Sequence, residues 1–87
     1  MKIRNMTSNN SGREVANQFI IDDDHATYFQ SYQTIIVKIS KGVTTLDKDS
    51  WDYSSTTGKY RNQFLGETKK ETEKKIASGE YKLVDLN

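Results

Sequence analysis

Residues 51–65 read WDYSSTTGKYRNQFL, and this stretch decides how the chain folds. It holds three aromatics before the last apolar pair and a run of four hydroxyl residues, Ser54 to Thr57. Ser54, Ser55 and Thr56 are candidate N-caps, because a hydroxyl can accept from the free amides of a first helical turn. Tyr60 and Phe64 then sit four apart with Leu65 alongside, a narrow apolar stripe at helical spacing. Before Trp51 the apolar residues alternate. After it they recur with a helical period. The stretch is therefore the joint between a sheet and a helix.

Working forward, Gly66 interrupts the helix. Thr68-Lys69-Lys70-Glu71 fits a capping box, with Thr68 as N-cap and Glu71 three residues in. Glu71 and Lys75 give an i,i+4 pair on a solvated face, and Gly79 suits a C-cap. Alternation over Glu80 to Leu86 fits an added last strand.

Working back, Val15, Phe19 and Ile21 fall on one side of an extended segment, with Asn17 among them. Ala16, Gln18 and Ile20 fall on the other, as in a half-buried strand. Asp22-Asp23-Asp24-His25 reads as a hairpin connection. Ala26 to Ser40 carries the strongest strand signal. There Phe29, Ile35, Val37 and Ile39 share one parity, and a bend or bulge near Ser31 to Gln33 accounts for the polar break in that face. Lys41-Gly42 is a tight turn and Val43 to Leu46 a third strand. Residues 1–13, polar and turn-rich from Asn5, read as a flexible arm.

The pattern predicts an α+β domain: a three- or four-stranded antiparallel sheet, then a helix or broken helical hairpin packed on one face. The expected core is Phe19, Ile21, Phe29, Ile35, Val37, Trp51, Tyr60, Phe64, Leu65 and Ile76.

With 87 residues, 33% of them hydrophobic and 29% charged, the chain makes one small domain with a lean core. It has no cysteine, hence no disulfide and no thiolate metal cage, and one histidine is too few for an ordinary zinc site. Packing alone must hold it, and a homodimer would be one way to add buried area. The net charge of +1 is unevenly laid out: residues 19–56 sum to −3 and residues 57–79 to +3. No apolar run approaches the roughly 18 residues of a membrane span, and the first residues lack the apolar core of a secretory signal. The expected setting is the cytoplasm.

Most chemistries find no residues. His25 is the only imidazole and sits beside three aspartates in a turn, where a solvated loop histidine is the plain reading. A G-x-S-x-G elbow, an H-E-x-x-H helix and a P-loop are absent, so no enzyme activity and no cofactor is expected. Three adjacent aspartates do not match the alternating ligands of a calcium loop. A binding role remains. Lys59, Arg61, Lys69, Lys70, Lys74 and Lys75 make the helical half basic, which suits phosphate contact with nucleic acid. Tyr28 and Tyr32, on an exposed sheet face beside Gln30 and Lys38, would suit base stacking. A helix-turn-helix does not fit, because Glu67, Thr72 and Lys75 would fall where a recognition helix must bury apolar side chains. Trp51, Tyr53, Tyr60 and Phe64 form the core where helix meets sheet, or serve as interface anchors if one of them stays exposed.

The motif W-D-Y-S-x-T-T-x-K-Y-x-x-x-F-L is carried by Trp51, Asp52, Tyr53, Ser54, Thr56, Thr57, Lys59, Tyr60, Phe64 and Leu65. Together with NQFII, YFQSY and KKIASGEYKLVDLN, it resembles a family of small accessory proteins encoded by tailed bacteriophages and prophages of low-GC bacteria. The resemblance runs from Val15 to Asn87. It implies a phage accessory protein acting in the host bacterial cytoplasm. Proteins of that kind commonly bind host enzymes or defence nucleases stoichiometrically. The expected function is thus non-catalytic binding of a host protein, with an inhibitor of a CRISPR nuclease as its most concrete form. The alternative is a nucleic-acid-binding accessory protein. The partner-binding candidates are Tyr28, Tyr32, Lys59, Arg61, Lys69 and Lys70, and no membrane is involved.

Overall fold

A computed structural model describes residues 1–87. Five strands run in chain order, β1 (Lys2–Thr7), β2 (Glu14–Asp22), β3 (Thr27–Ser31), β4 (Thr34–Ser40) and β5 (Val43–Asp47). Two helices follow, α1 (Ser55–Leu65) and α2 (Lys69–Ser78), and a short β6 (Lys82–Val84) closes the chain. All six strands join one sheet in the order β1-β2-β3-β4-β5-β6. The first four pairings are antiparallel, and β6 returns parallel to β5 after the helical crossover. The class is α+β, but the sheet has six strands and is mixed, where three or four antiparallel strands were expected.

The additional strands have local causes. Residues Lys2 to Thr7 are not an arm: they pair with β2 from Lys2–Asp22 to Asn5–Phe19 and again at Thr7–Glu14. Arg4 helps hold them there through an ion pair with Asp22, 2.7 Å long. The long segment Ala26 to Ser40 is two strands, because Tyr32 takes φ +57° and Ser31 pairs directly with Thr34. No glycine, asparagine or proline marks that turn. The Tyr32 amide instead donates to the Asn17 carbonyl at 2.7 Å, tying the turn to β2. The Lys41-Gly42 turn is as expected, with φ +53° and +76°, two left-handed residues in succession as a two-residue hairpin favours.

Two irregularities decide which side chains face the helices. Asn17 adopts φ +65° inside β2, so the alternation reverses there. Val15, Gln18 and Ile20 turn to the helices, and Phe19 and Ile21 turn away. In β4 the register jumps, Phe29 pairing with Val37 and Gln30 with Ile35. Ile36 is the extra residue of the bulge, and both Ile36 and Val37 are buried. The buried cluster is therefore Met6, Phe29, Ile36, Val37, Leu46, Tyr60 and Tyr81. Trp51, Phe64, Leu65 and Ile76 pack against it as expected. Phe19, Ile21 and Ile35 do not belong to it: the two parity shifts place them on the opposite, open face.

The helices start and stop where their caps dictate. Ser54 accepts from the Thr57 amide, and Gly66 ends α1 at φ +69°. Thr68 and Glu71 form the complete capping box of α2. Phe64 stacks on Phe29 with ring centroids 5.8 Å apart, seating α1 on the middle of the sheet. A buried hydroxyl pair, Ser31 with Thr57 at 3.0 Å, fixes the other end of α1. No helix is long and apolar enough to cross a membrane.

Glu67, between the helices, ties α2 to the segment that leads from it into β6. Its side chain is 5% exposed. It accepts from Lys75 Nζ at 2.7 Å, from the Tyr81 hydroxyl at 2.8 Å and from the Thr72 hydroxyl. Burial alone would push its carboxyl up, but those three donors outweigh burial and hold it below the ordinary glutamate value. Burial and the Glu67 charge push the Tyr81 phenol up. A carboxyl depressed in the folded state stabilises fully above its unfolded value, and that stabilisation is lost as pH falls through the folded value.

Two predictions follow from this arrangement of the chain. Asn17→Val should cost about 1–2 kcal/mol in chemical denaturation, because a β-branched residue resists the left-handed conformation, whereas Asn17→Gly should be nearly neutral. Acid titration of stability should show a loss below pH 4.5, the ordinary glutamate value, and Glu67→Gln should flatten that limb.

Candidate functional site

The joint at residues 51–65 builds the first of two surfaces. The chain leaves β5 through a turn in which the Trp51 amide donates to the Asp47 carbonyl at 3.0 Å. Trp51 and Asp52 then meet Arg61, two turns into the body of α1. Arg61 is 1% exposed. Its Nη1 donates to the Trp51 carbonyl at 2.6 Å and to Asp52 Oδ1 at 3.3 Å, and its Nη2 donates to Asn62 Oδ1 at 3.0 Å. The guanidinium lies 5.2 Å from the centroid of the Trp51 ring. Gly58, one turn earlier, lies against it: a Cβ there would sit in ordinary contact, 3.7 and 3.8 Å from the two terminal nitrogens.

Above this guanidinium runs an open groove of about 1020 Å³ with no hydrophobic residue among the eleven that line it. Lys59, Arg61 and Lys69 bring three positive charges to it, and Asp52 alone brings a negative one. Asp52 is shared: Lys69 Nζ holds its other oxygen at 2.7 Å. Lys69 and then Arg61 keep the Asp52 carboxyl below its ordinary value against the opposing effect of burial, and Asp52 in return raises the Lys69 ammonium. Ser54 and Ser55 line the groove at the start of α1, where the helix dipole adds partial positive charge.

The second surface is the sheet face turned away from the helices. Register places Ile3, Ile21, Tyr28, Lys38, Thr45 and Lys82 in one unbroken cross-strand row. Asn5, Phe19, Gln30 and Ile35 form the next row. Phe19, Ile21, Tyr28 and Ile35 are half-buried by their neighbours, and Ile3 is exposed. Lys38 Nζ lies 5.9 Å from the Tyr28 ring centroid.

The six partner-binding candidates therefore divide. Lys59, Arg61 and Lys69 converge on the groove. Tyr28 stands on the open sheet face. Tyr32 sits at the β3–β4 turn, 50% exposed, apart from both surfaces. Lys70 is exposed on α2 and does not line the groove. Arg61 is expected among the partner-binding cations of the basic helical half, which would leave it accessible. It is instead buried, and the spacing of Gly58 and Arg61, one helical turn apart, is the signal that could have shown it. Tyr53, at 69% exposure, is the aromatic of the joint that stays outside. The aspartate run makes the turn: Asp23 Oδ1 accepts from the amides of His25 and Ala26, both at 2.7 Å. Asp22 binds the Thr27 hydroxyl and Arg4.

Fold and surfaces together define a small α+β domain, a six-stranded mixed sheet with two helices on one face and two distinct exposed surfaces. Residues 1–80 match the DUF8033 family, a family of unknown function, and the chain belongs to it. No curated protein and no solved structure matches the chain.

Arg61→Lys should destabilise the protein by about 1.5–3 kcal/mol in urea, because an ammonium cannot serve Trp51, Asp52 and Asn62 at once and charge-assisted hydrogen bonds of this kind contribute on that order.

Proposed function

We propose that the protein works without catalysis, by docking stoichiometrically onto a host protein through the open face of its sheet. One observation carries this reading. An antiparallel sheet with a single covered face ordinarily turns polar side chains outward, and here the outward positions of β1, β2 and β3 include Ile3, Ile21, Phe19 and Tyr28. Contiguous apolar surface rimmed by polar groups is the mark of an interaction site.

The charges on this face choose the occupant. Lys38 and Lys82 stand in its central row, and Asp47 is buried, its carboxylate accepting from the Leu86 amide at 2.9 Å. A partner with an apolar patch bordered by carboxylates fits. A second copy laid face to face would set lysines against lysines. The similarity to phage accessory proteins supports a target in the host bacterial cytoplasm. Proteins of that kind commonly bind host enzymes or defence nucleases, and a CRISPR nuclease is the most concrete target under this reading.

The test is a complex isolated from nuclease-treated host lysate, its partner identified by mass spectrometry and then purified for titration. Tyr28→Lys and Ile21→Lys should each weaken binding by roughly thirtyfold, the size of a central interface residue, while Lys70→Glu leaves it unchanged. Equal affinity in the face variants would contradict the reading. So would a homodimer in sedimentation that Tyr28→Lys dissolves, since the face would then belong to a second copy.

A further inference from the structure

The polar groove lies on the helical side of the molecule, away from the docking face, and its electrostatics are incomplete. A buried guanidinium is costly unless its charge is answered nearby. Arg61 has only Asp52 for a counter-ion, at 3.3 Å, and Asp52 also answers Lys69 at 2.7 Å. One carboxylate thus serves two cations, and Lys59 adds a third charge to the groove wall. The Arg61 Nε–H is buried without a hydrogen-bond partner.

Donors at the start of α1 are also unspent. The Thr57 amide is taken by the Ser54 hydroxyl and the Gly58 amide by the Ser54 carbonyl, but the Ser55 and Thr56 amides make no hydrogen bond. First-turn amides and the positive end of the helix dipole favour an anion. Gly58 has no side chain, so an anion over it comes near the buried charge: a Cβ there would stand 3.7 and 3.8 Å from the two terminal nitrogens of Arg61. A tetrahedral oxyanion seated over Gly58 would lie above the charge of the buried guanidinium, with Lys59 and Lys69 lining the same groove.

We infer that this groove is a binding site for a phosphate group, held by the α1 start, Lys59, Lys69 and the Arg61 charge beneath Gly58. The sequence pattern fits the role: Gly58 and Arg61 are one turn apart, and Lys59 and Lys69 come from the two helices on either side of the Gly66 break. The groove is open along its length, so a free phosphate, a nucleotide or a nucleic-acid backbone can present the same group.

The test uses the intact chain labelled with nitrogen-15 and three probes: inorganic phosphate, ATP, and a twelve-residue single-stranded oligonucleotide without terminal phosphates. Saturable shifts of the Ser55 and Thr56 amides and of the Arg61 Nε–H are expected with at least one probe, and the tightest of the three identifies the source of the group. Lys59→Gln and Lys69→Gln should each weaken that probe by about tenfold, the loss of one charge-assisted contact. Gly58→Ala should also weaken it while raising thermal stability, because alanine suits a helix better than glycine. Absence of saturable shifts at these three groups with every probe would overturn the site. So would oligonucleotide shifts confined to Lys70, Lys74 and Lys82, or full affinity in the Lys59 and Lys69 variants.

Discussion

The guanidinium of Arg61 is the interaction on which the rest of the molecule depends. It is buried, yet it hydrogen-bonds the carbonyl of Trp51 in the segment leaving the sheet and the side chain of Asn62 in α1. A single side chain thus fastens the last residues of the β5–α1 connection to the body of the helix. Once that angle is fixed, Phe64 meets Phe29, Tyr60 enters the core, and Thr57 reaches Ser31. Breaking the joint would release the hairpin from the sheet and uncover much of a lean core. Glu67 plays the complementary part at the far end, gathering Lys75, Thr72 and Tyr81 around one carboxylate. Two buried charged groups of opposite sign, one within α1 and one just beyond its C-terminus, hold the helical layer in place.

The same economy shapes the surfaces. Because one carboxylate answers both Arg61 and Lys69, the groove over α1 is left with an excess of positive charge. Because the two helices cover only one face of the sheet, the other carries apolar side chains that stay partly exposed. The face and the groove lie on opposite sides of the sheet, so an occupant of one leaves the other accessible. A protein partner and a phosphate group are therefore compatible readings of one fold.

Signals written in a few adjacent residues were legible in the sequence. The Ser54 cap, the Gly66 break, the Thr68–Glu71 capping box, the Gly79 stop and the Lys41-Gly42 turn all depend on local backbone chemistry. The α+β class followed from them. Signals that depend on distant residues were not legible. β1 carries Ile3 and Met6 among polar neighbours and becomes a strand only by pairing with β2. The turn at Tyr32 contains no turn-forming residue and is held by the Asn17 carbonyl. Asn17 and Ile36 each shift the alternation by one position, and such a slip moves every following side chain to the other face. That is why Phe19, Ile21 and Ile35 were expected inside and lie outside. Of the candidate site, Lys59, Arg61, Lys69, Lys70, Lys74 and Lys75 were read as one basic group; Lys59, Arg61 and Lys69 line the groove, and Lys70, Lys74 and Lys75 do not. The burial of Arg61 was not legible, because a charged residue on a polar helix ordinarily faces water.

Side-chain nitrogen-15 spectroscopy of Arg61 tests the central claim most directly. A guanidinium locked by Trp51, Asp52 and Asn62 cannot rotate freely about its Cζ bonds. Its two terminal nitrogens should give separate resonances at room temperature, and its Nε–H should exchange with water far more slowly than those of Arg4 and Arg13. A single averaged terminal-nitrogen signal, with Nε–H exchange as fast as at the two exposed arginines, would contradict the account.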